Sequence, residues 1–197
     1  MRLRNWSPLP FEGRALDAVV LTHAHLDHSG YLPLLIRNGY AGPVHCTEAT
    51  YDLCKILLPD SGRLQEEDAE RANRRAYSKH KPALPLYTEK DALRALEHFE
   101  PVALHHDFSP APGLSLRLYK AGHILGSSFV HIDDGTSSLL FTGDLGRPHD
   151  PIMHAPEAVE QADYLVVEST YGNRLHEPTD AHRELGEVIA VSYTHLR

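Results

Sequence analysis

Four short apolar runs in this chain each lead into a residue that can bind a metal ion or carry a proton. Residues 18–21 lead into His23, residues 114–119 into His123, residues 138–141 into Asp144, and residues 164–167 into Glu168. Short runs that are rich in branched apolar residues, or that alternate with polar ones, predict buried β-strands. In layered α/β sheets, ligand sites collect where the strands end. We therefore predict an α/β fold in which these four polar residues gather at one end of the sheets.

The segments between the predicted strands carry helix signals. Thr47 can cap a helix over residues 49–58, and Pro59 is expected to end that helix. A second helix is predicted over residues 64–77. A capping-box pattern opens a third helix over residues 88–98.

The composition is that of an ordinary globular domain. The chain has 197 residues, of which 42% are hydrophobic and 23% charged, enough for one domain with a sizeable core. Its two cysteines, Cys46 and Cys54, are too few for a disulfide framework, and we expect both to pack in the core. No apolar run approaches the length of a membrane span, and no signal-peptide pattern is present. We therefore expect a cytoplasmic protein with no membrane partner.

The charge distribution is uneven along the chain. The formal net charge of −8 argues against binding of nucleic acid through overall charge. However, residues 71–81, here named the basic segment, carry five Lys or Arg and no acid, directly after an acidic stretch over residues 65–70. A helix with an acidic start and a basic end complements its own dipole, and charge alone favours this interpretation. The second interpretation is a phosphate-contacting patch in which Tyr77 can stack on a base.

A cluster of potential metal ligands fills the six residues from His23 to His28. His23 and His25 lie two residues apart, so on an extended segment they face the same way and can share one ion. Asp27 and His28 lie past the bend and can reach a second ion, and Asp144 from another strand could bridge the two. The alternative is a histidine-rich loop closed by hydrogen bonds to Asp27, which is the rarer meaning of such a pattern.

These motifs resemble those of a known family. Residues 22–30 are similar to the signature of the metallo-β-lactamase superfamily, and residues 122–127 and 142–146 are similar to its third and fourth metal motifs. Residues 168–172, followed by His176, resemble the acidic motif that opens the β-CASP branch, which contains RNA-processing and DNA-repair nucleases. Residues 58–62 and the basic segment look like bacterial members of the RNA-processing group. The resemblance covers about residues 14–190.

The resemblance implies part of an αββα sandwich with the metal site at the strand ends. Residues 1–175 would form a partial metallo-β-lactamase domain and residues 176–190 the start of the β-CASP insert. Residues 191–197 follow a helical pattern that stops without a cap and resemble translated sequencing-adapter sequence, so we expect a tail that is not native to the protein. The first family motif, an aspartate, has no match before residue 18, and the later motifs would lie beyond residue 190. We therefore expect a chain that is shortened at both ends.

Carried over by the resemblance, the ligands would bind two zinc ions. His23, His25 and His123 would bind the first ion, Asp27 and His28 the second, and Asp144 would bridge them. The second site would lack one ligand, which the family supplies from a later motif. A hydroxide between the ions would attack the phosphodiester, with Asp27 orienting it, and Glu168 would orient a histidine that protonates the leaving group.

The function implied is a zinc-dependent ribonuclease, with this chain alone a weak or inactive one. Single-stranded RNA is the expected substrate, a homodimer is an expected assembly, and four residues of the basic segment become candidate RNA contacts, namely Arg74, Arg75, Lys79 and Lys81. Two alternatives stay open: a small-molecule hydrolase of the same fold, resembling a thioesterase or lactamase, and a non-catalytic RNA-binding partner. The six intact ligand positions argue against the partner, and the basic segment argues against the small-molecule hydrolase.

Overall fold

The computed structural model describes residues 6–159, 161–175 and 180–195. Its helices and strands, apart from a short 3-10 turn at Gly13–Ala15, follow in chain order: β1 Val19–Val20, α1 Leu26–Ser29, α2 Leu32–Arg37, β2 Val44–Cys46, α3 Glu48–Arg74, α4 Glu89–Leu96, β3 Phe99–Pro101, β4 Ser115–Lys120, β5 Ser128–Asp133, β6 Ser138–Phe141, β7 Tyr164–Val166 and α5 Ala181–His195. The predicted α/β fold is confirmed. His176 and its neighbours in 176–179, where the β-CASP insert is predicted to start, lie outside the described residues.

The strands form two sheets. The first sheet has the order β1-β2-β3 and is parallel throughout. The second has the order β4-β5-β6-β7, in which β5 is antiparallel to β4 and β6, and β7 is parallel to β6. Because β4, β6 and β7 therefore run in one direction, the loops that follow them leave the second sheet at the same edge.

Apolar side chains join the layers in three groups. Val44 and Phe99 of the first sheet pack with Leu58 and Ala92 of the helices, so α2, α3 and α4 cover one face of that sheet. Leu118 and its neighbours on the second sheet pack against Val20, Val102 and Phe141 in the space between the sheets. On the outer face of the second sheet, Phe129 and Leu140 are covered by the segment that contains Val159. This order of helices, sheet and sheet is the partial sandwich that the sequence predicts.

Helix α3 departs from the prediction that Pro59 ends a helix. Thr47 caps α3 as predicted, accepting a hydrogen bond from the Thr50 N–H at 3.2 Å, but one continuous helix runs from Glu48 to Arg74. Proline removes one backbone hydrogen bond, and the packing of the neighbouring turns outweighs that loss. Leu58 is fully buried, and a Cβ at Gly62 would lie only 2.6 Å from the Glu89 nitrogen, so α4 packs tightly against α3 at this turn.

The structure confirms the predicted capping box of α4 and contradicts the predicted burial of β7. The capping box of α4 is present, since Thr88 accepts from the Asp91 N–H at 3.1 Å and Asp91 accepts from the Thr88 N–H at 2.9 Å. The prediction that the last strand is buried is wrong. Tyr164 and Leu165 are 61% and 59% exposed, because β7 is the edge strand and pairs with β6 on one side only.

The cysteines behave as core residues. Cys46 and Cys54 are fully buried and are not joined in a disulfide, and burial raises the pKa of both thiols, that of Cys54 to about 12. Among the residues that the structure describes, no helix combines the length and the apolar character needed to cross a membrane.

Candidate metal centre

The end of β1 delivers two histidines to one point. His23 is fully buried, and His25 is the residue that precedes the first turn of α1. The Nε2 atom of His23 lies 3.1 Å from the Nδ1 atom of His25, with the two rings nearly perpendicular. As the spacing predicts, the two side chains face the same point.

Two further donors arrive from the second sheet. The Nε2 atom of His123, in the loop after β4, lies 3.2 Å from His25 Nδ1. The Oδ2 atom of Asp144, in the loop after β6, lies 3.4 Å from His123 Nε2 and 3.7 Å from His23 Nε2. One donor atom from each of the four residues therefore lies within 4.8 Å of every other. The structure brings together residues that are up to 121 positions apart in the sequence.

Asp144 faces a second group of donors through its other oxygen. His28 Nε2 lies 3.3 Å from Asp144 Oδ1 and 3.6 Å from Asp27 Oδ2. The Asp27 side chain is 78% exposed, so this second group is open to solvent, whereas the first is built around the buried His23. The two oxygens of Asp144 thus point to two different donor groups, which is the arrangement expected of a bridging carboxylate.

The chemistry of the donor set fits a divalent metal ion. Three imidazole nitrogens and a carboxylate oxygen are the ligand types of zinc sites, and they converge without a Lys or Arg among them. Burial, and after it the neighbouring His28, lower the pKa of His23 to about 4 against the opposite effect of Asp144. His23 is therefore neutral at pH 7, which is the form that binds a metal.

Hydrogen bonds hold two of the donor residues. The Thr22 hydroxyl lies 3.1 Å from the second ring nitrogen of His23, a contact of the kind that sets the tautomer and direction of a ligand histidine. The Ser127 hydroxyl accepts the backbone N–H of His123 at 2.9 Å and so fixes the backbone from which that side chain extends.

Two glycines allow the strand-end loops to meet. Gly122 has φ +69°, and a Cβ there would come closer than 3.0 Å to the carbonyl oxygen of His154. Gly143 has φ +53°, and a Cβ there would lie 2.8 Å from Thr22. Both positions combine a left-handed backbone with close approach to another segment, which only glycine tolerates without strain. Gly122 directly precedes the donor His123, and Gly143 directly precedes the donor Asp144.

Glu168 lies beside the donor cluster and is not one of its members. One carboxylate oxygen accepts the Leu145 N–H at 2.6 Å and the other accepts the Thr170 N–H at 3.4 Å. The hydrogen bond from Leu145 is the main reason that the pKa of Glu168 lies below its usual range. Glu168 is therefore ionised at neutral pH and ties its own strand end to the loop that carries Asp144.

A cavity of about 390 Å³ joins these groups and includes residues that the sequence interpretation missed. His123, Asp144 and Glu168 line it together with Arg147 and Tyr171. Arg147 forms no ion pair with any residue in the described ranges. Its position directly after the motif of residues 142–146 is the signal that could have found it.

The structure places the candidate RNA contacts at the end of α3, outside the donor cluster. Arg74 is the last residue of α3, and Arg75, Lys79 and Lys81 follow in the next turn and loop, all exposed. Asn73 holds this loop, since its amide donates to the Ala83 carbonyl at 2.9 Å and accepts the Ala83 N–H at 2.7 Å. In the part of the chain that is described, none of the four cationic residues is in an ion pair.

Comparison with known proteins agrees with this geometry. The family model described as "Metallo-beta-lactamase superfamily" matches residues 7–184, which is most of the chain. The chain belongs to the metallo-β-lactamase superfamily. The superfamily predicted from the motifs is therefore confirmed, and the metal ions typical of that superfamily agree with the convergent donors.

The curated relatives of this metallo-β-lactamase domain are longer proteins. Ribonuclease TTHA0252 from Thermus thermophilus is 36% identical over 187 residues, which cover 94% of this chain and 39% of the relative. Transcription termination factor FttA from Methanocaldococcus jannaschii is 36% identical over 181 residues, covering 89% of this chain and 26% of the relative. The chain thus spans well under half the length of these relatives. The Zn(2+)-bound PqqB structure from Methylobacterium extorquens matches 63% of this chain and 32% of its own, at 20% identity and a TM-score of 0.39.

Proposed function

We propose that this metallo-β-lactamase domain is the hydrolytic part of a β-CASP ribonuclease that cleaves phosphodiester bonds with two zinc ions. The observation that carries the proposal is the position of Asp144, whose two oxygens face two separate donor groups 3.3–3.7 Å away. Paired ions that share a ligand are typical of enzymes that hydrolyse phosphate esters. One of the relatives is named a ribonuclease, which supports the same assignment.

The donor groups divide between the two proposed ions. His23, His25 and His123 would hold the first, Asp27 and His28 the second, and Asp144 would contact both. When bound, the ions supply Lewis acidity, which lowers the pKa of a water molecule and offsets the charge that develops on the phosphoryl oxygens.

The side chains around the ions have distinct roles in the proposal. Asp27, exposed beside His28, accepts a hydrogen bond from the attacking water and so orients it. Arg147 lines the same cavity as Asp144, and its guanidinium can form a bidentate pair of hydrogen bonds with a phosphate group. Glu168 acts as a positioning residue through the Leu145 N–H, and its predicted role toward a leaving-group histidine stays a prediction.

RNA is the proposed substrate because exposed cations lie at the end of α3, outside the donor cluster. A phosphate chain would extend well beyond the 390 Å³ cavity and could reach the exposed cations at the end of α3. A small-molecule hydrolase does not need such cations. The preference for single strands, the homodimer, the cytoplasmic location and the domain boundaries at residues 175 and 190 stay predictions.

The test compares metal content and RNA cleavage in the same variants. The zinc-loaded chain is expected to bind two ions and to cleave end-labelled single-stranded RNA slowly, and both properties should fall in His123→Ala and Asp144→Asn. The matched control is His106→Ala, an exposed histidine that is not one of the donors. Cleavage of a thioester or a β-lactam in place of RNA would contradict the proposal, as would RNA cleavage that survives in both donor variants.

A further inference from the structure

A second cavity, of about 420 Å³, opens beside Asp27 and is not explained by the metal centre. We name it the Tyr31 cavity. It shares no lining residue with the 390 Å³ cavity described above. Its lining combines apolar and neutral polar side chains with a single charged residue: Leu26, Asp27, Gly30, Tyr31, Ser61, Gln65, Leu86 and Tyr87. A cavity without cations does not suit a phosphate, and it suits an uncharged ligand with an apolar face.

The polar groups of the Tyr31 cavity are held in fixed positions. The Ser61 hydroxyl oxygen accepts the Tyr87 O–H at 2.8 Å and a Gln65 amide N–H at 3.2 Å. Gln65 in turn accepts the Leu86 N–H at 3.1 Å. Ser61 and Gln65 are therefore held by Tyr87 and the Leu86 backbone, and the cavity presents their polar groups in fixed positions between apolar walls.

The course of α3 connects this cavity to the proposed phosphate contacts. Arg75 follows Ser61 by 14 residues, about 21 Å along the helix axis at about 1.5 Å per residue. At about 100° per residue, Arg75 lies within about 40° of the Ser61 face, whereas Arg74 lies on the opposite side. At about 3.4 Å per stacked nucleotide, this length corresponds to a strand of about six nucleotides.

We propose that the Tyr31 cavity binds one nucleobase of the RNA strand, the base adjacent to the phosphate at the metal centre. The inference rests on the ribonuclease function proposed above and adds a base subsite to it. The base would stack on Tyr31 and Leu26, whose side chain is 44% exposed, and would form hydrogen bonds with the polar groups of Ser61 and Gln65. The phosphates on the same side would continue along α3 toward Arg75.

The test is a binding series with abasic RNA on the zinc-loaded chain. A fluorescent single-stranded 10-mer, made resistant to cleavage, is compared with versions in which each base in turn is removed, and affinity is read by anisotropy. We expect one position to weaken binding about tenfold and its neighbours much less, since stacking on one side chain is local. Leu26→Trp, which fills the cavity, should weaken the intact RNA about tenfold and abolish the effect of the abasic position.

Two further variants make the result specific. Leu64→Trp adds the same ring to an exposed leucine of α3 that does not line the cavity, and it should bind RNA like the parent chain. Ser61→Ala removes a polar group of the cavity and also the hydrogen-bond partner of Tyr87 and Gln65, so it should reduce the abasic effect about threefold and lower thermal stability, with zinc content unchanged. A flat abasic series, or normal binding by Leu26→Trp, would overturn the base subsite while leaving RNA binding intact. Absence of RNA binding in the parent chain would overturn the proposed function together with the subsite.

Discussion

We expect Gly122→Ala to lower both stability and zinc affinity, because Gly122 sets the position of His123. Gly122 has φ +69°, and the new Cβ would come closer than 3.0 Å to the carbonyl oxygen of His154. A backbone carbonyl cannot rotate away as a flexible side chain can. The overlap is therefore relieved by movement of the loop after β4, which carries His123 out of line with the other donors.

The size of the effect has two contributions. Holding alanine in the left-handed region costs about 1–2 kcal/mol. The steric overlap with a backbone atom adds about 1–3 kcal/mol, as overpacking does in a core. Together they lower the free energy of unfolding by about 3.5 kcal/mol, and at about 2–4 °C per kcal/mol for a chain of this size the Tm falls by about 7–14 °C. Displacement of a ligand histidine should weaken zinc binding at least about tenfold.

Gly135→Ala is the matched control. Gly135 also has a positive φ, +81°, but nothing lies within 4 Å of the position that its Cβ would occupy. Only the backbone contribution of about 1.5 kcal/mol applies, so the Tm should fall by about 3–6 °C. Zinc affinity should not change. Calorimetry and zinc titration against a fluorescent chelator measure both quantities. Equal Tm losses in the two variants, with unchanged zinc affinity in Gly122→Ala, would refute the role assigned to Gly122.

Three more predictions concern other parts of the domain. His28→Ala should reduce the bound zinc from two ions to one in native mass spectrometry, because His28 faces only one oxygen of Asp144, and retention of both ions would contradict the assignment. Thr47→Val should lower the free energy of urea unfolding by about 2 kcal/mol, since its hydroxyl caps α3 and also donates to the Gly126 carbonyl at 2.6 Å. The control is Thr136→Val at an exposed position, which should change the free energy of unfolding by less than about 0.5 kcal/mol. Equal losses in the two variants would contradict the role of Thr47 as a helix cap. Asn73→Ala should speed trypsin cleavage after Lys79 several-fold by releasing the Ala83 backbone, and an unchanged rate would show that the loop is held by other contacts.

The donor residues could be predicted from sequence because local spacing determines much of their geometry. His23 and His25 face one point since side chains two residues apart on an extended segment share a face, and the structure places their nitrogens 3.1 Å apart. The caps of α3 and α4 were equally local, because each depends on a threonine and a backbone N–H three residues later.

Features that depend on tertiary packing could not be predicted in the same way. Pro59 is a helix breaker by propensity, yet α3 continues through it because Leu58 and Gly62 on either side are buried against the core and α4. The Tyr31 cavity is likewise invisible in sequence, since its walls come from α1, α3 and the segment before α4, over 60 residues apart at the extremes. Residue spacing predicts which side chains share a face, and it does not predict which separate faces meet.

The position of Asp144 between the two donor groups depends both on local sequence and on tertiary packing. β4 and β6 are not neighbours, because β5 lies between them, so their axes are about 10 Å apart at about 4.8 Å per strand. Nevertheless, the donor atoms of His123 and Asp144 lie 3.4 Å apart. The loops must therefore turn toward each other above the start of β5, and Gly122 and Gly143 supply the left-handed backbone at which each loop turns. It follows that the glycine before each donor helps to set the position of that donor, which is why the Gly122→Ala variant tests the centre without removing a ligand.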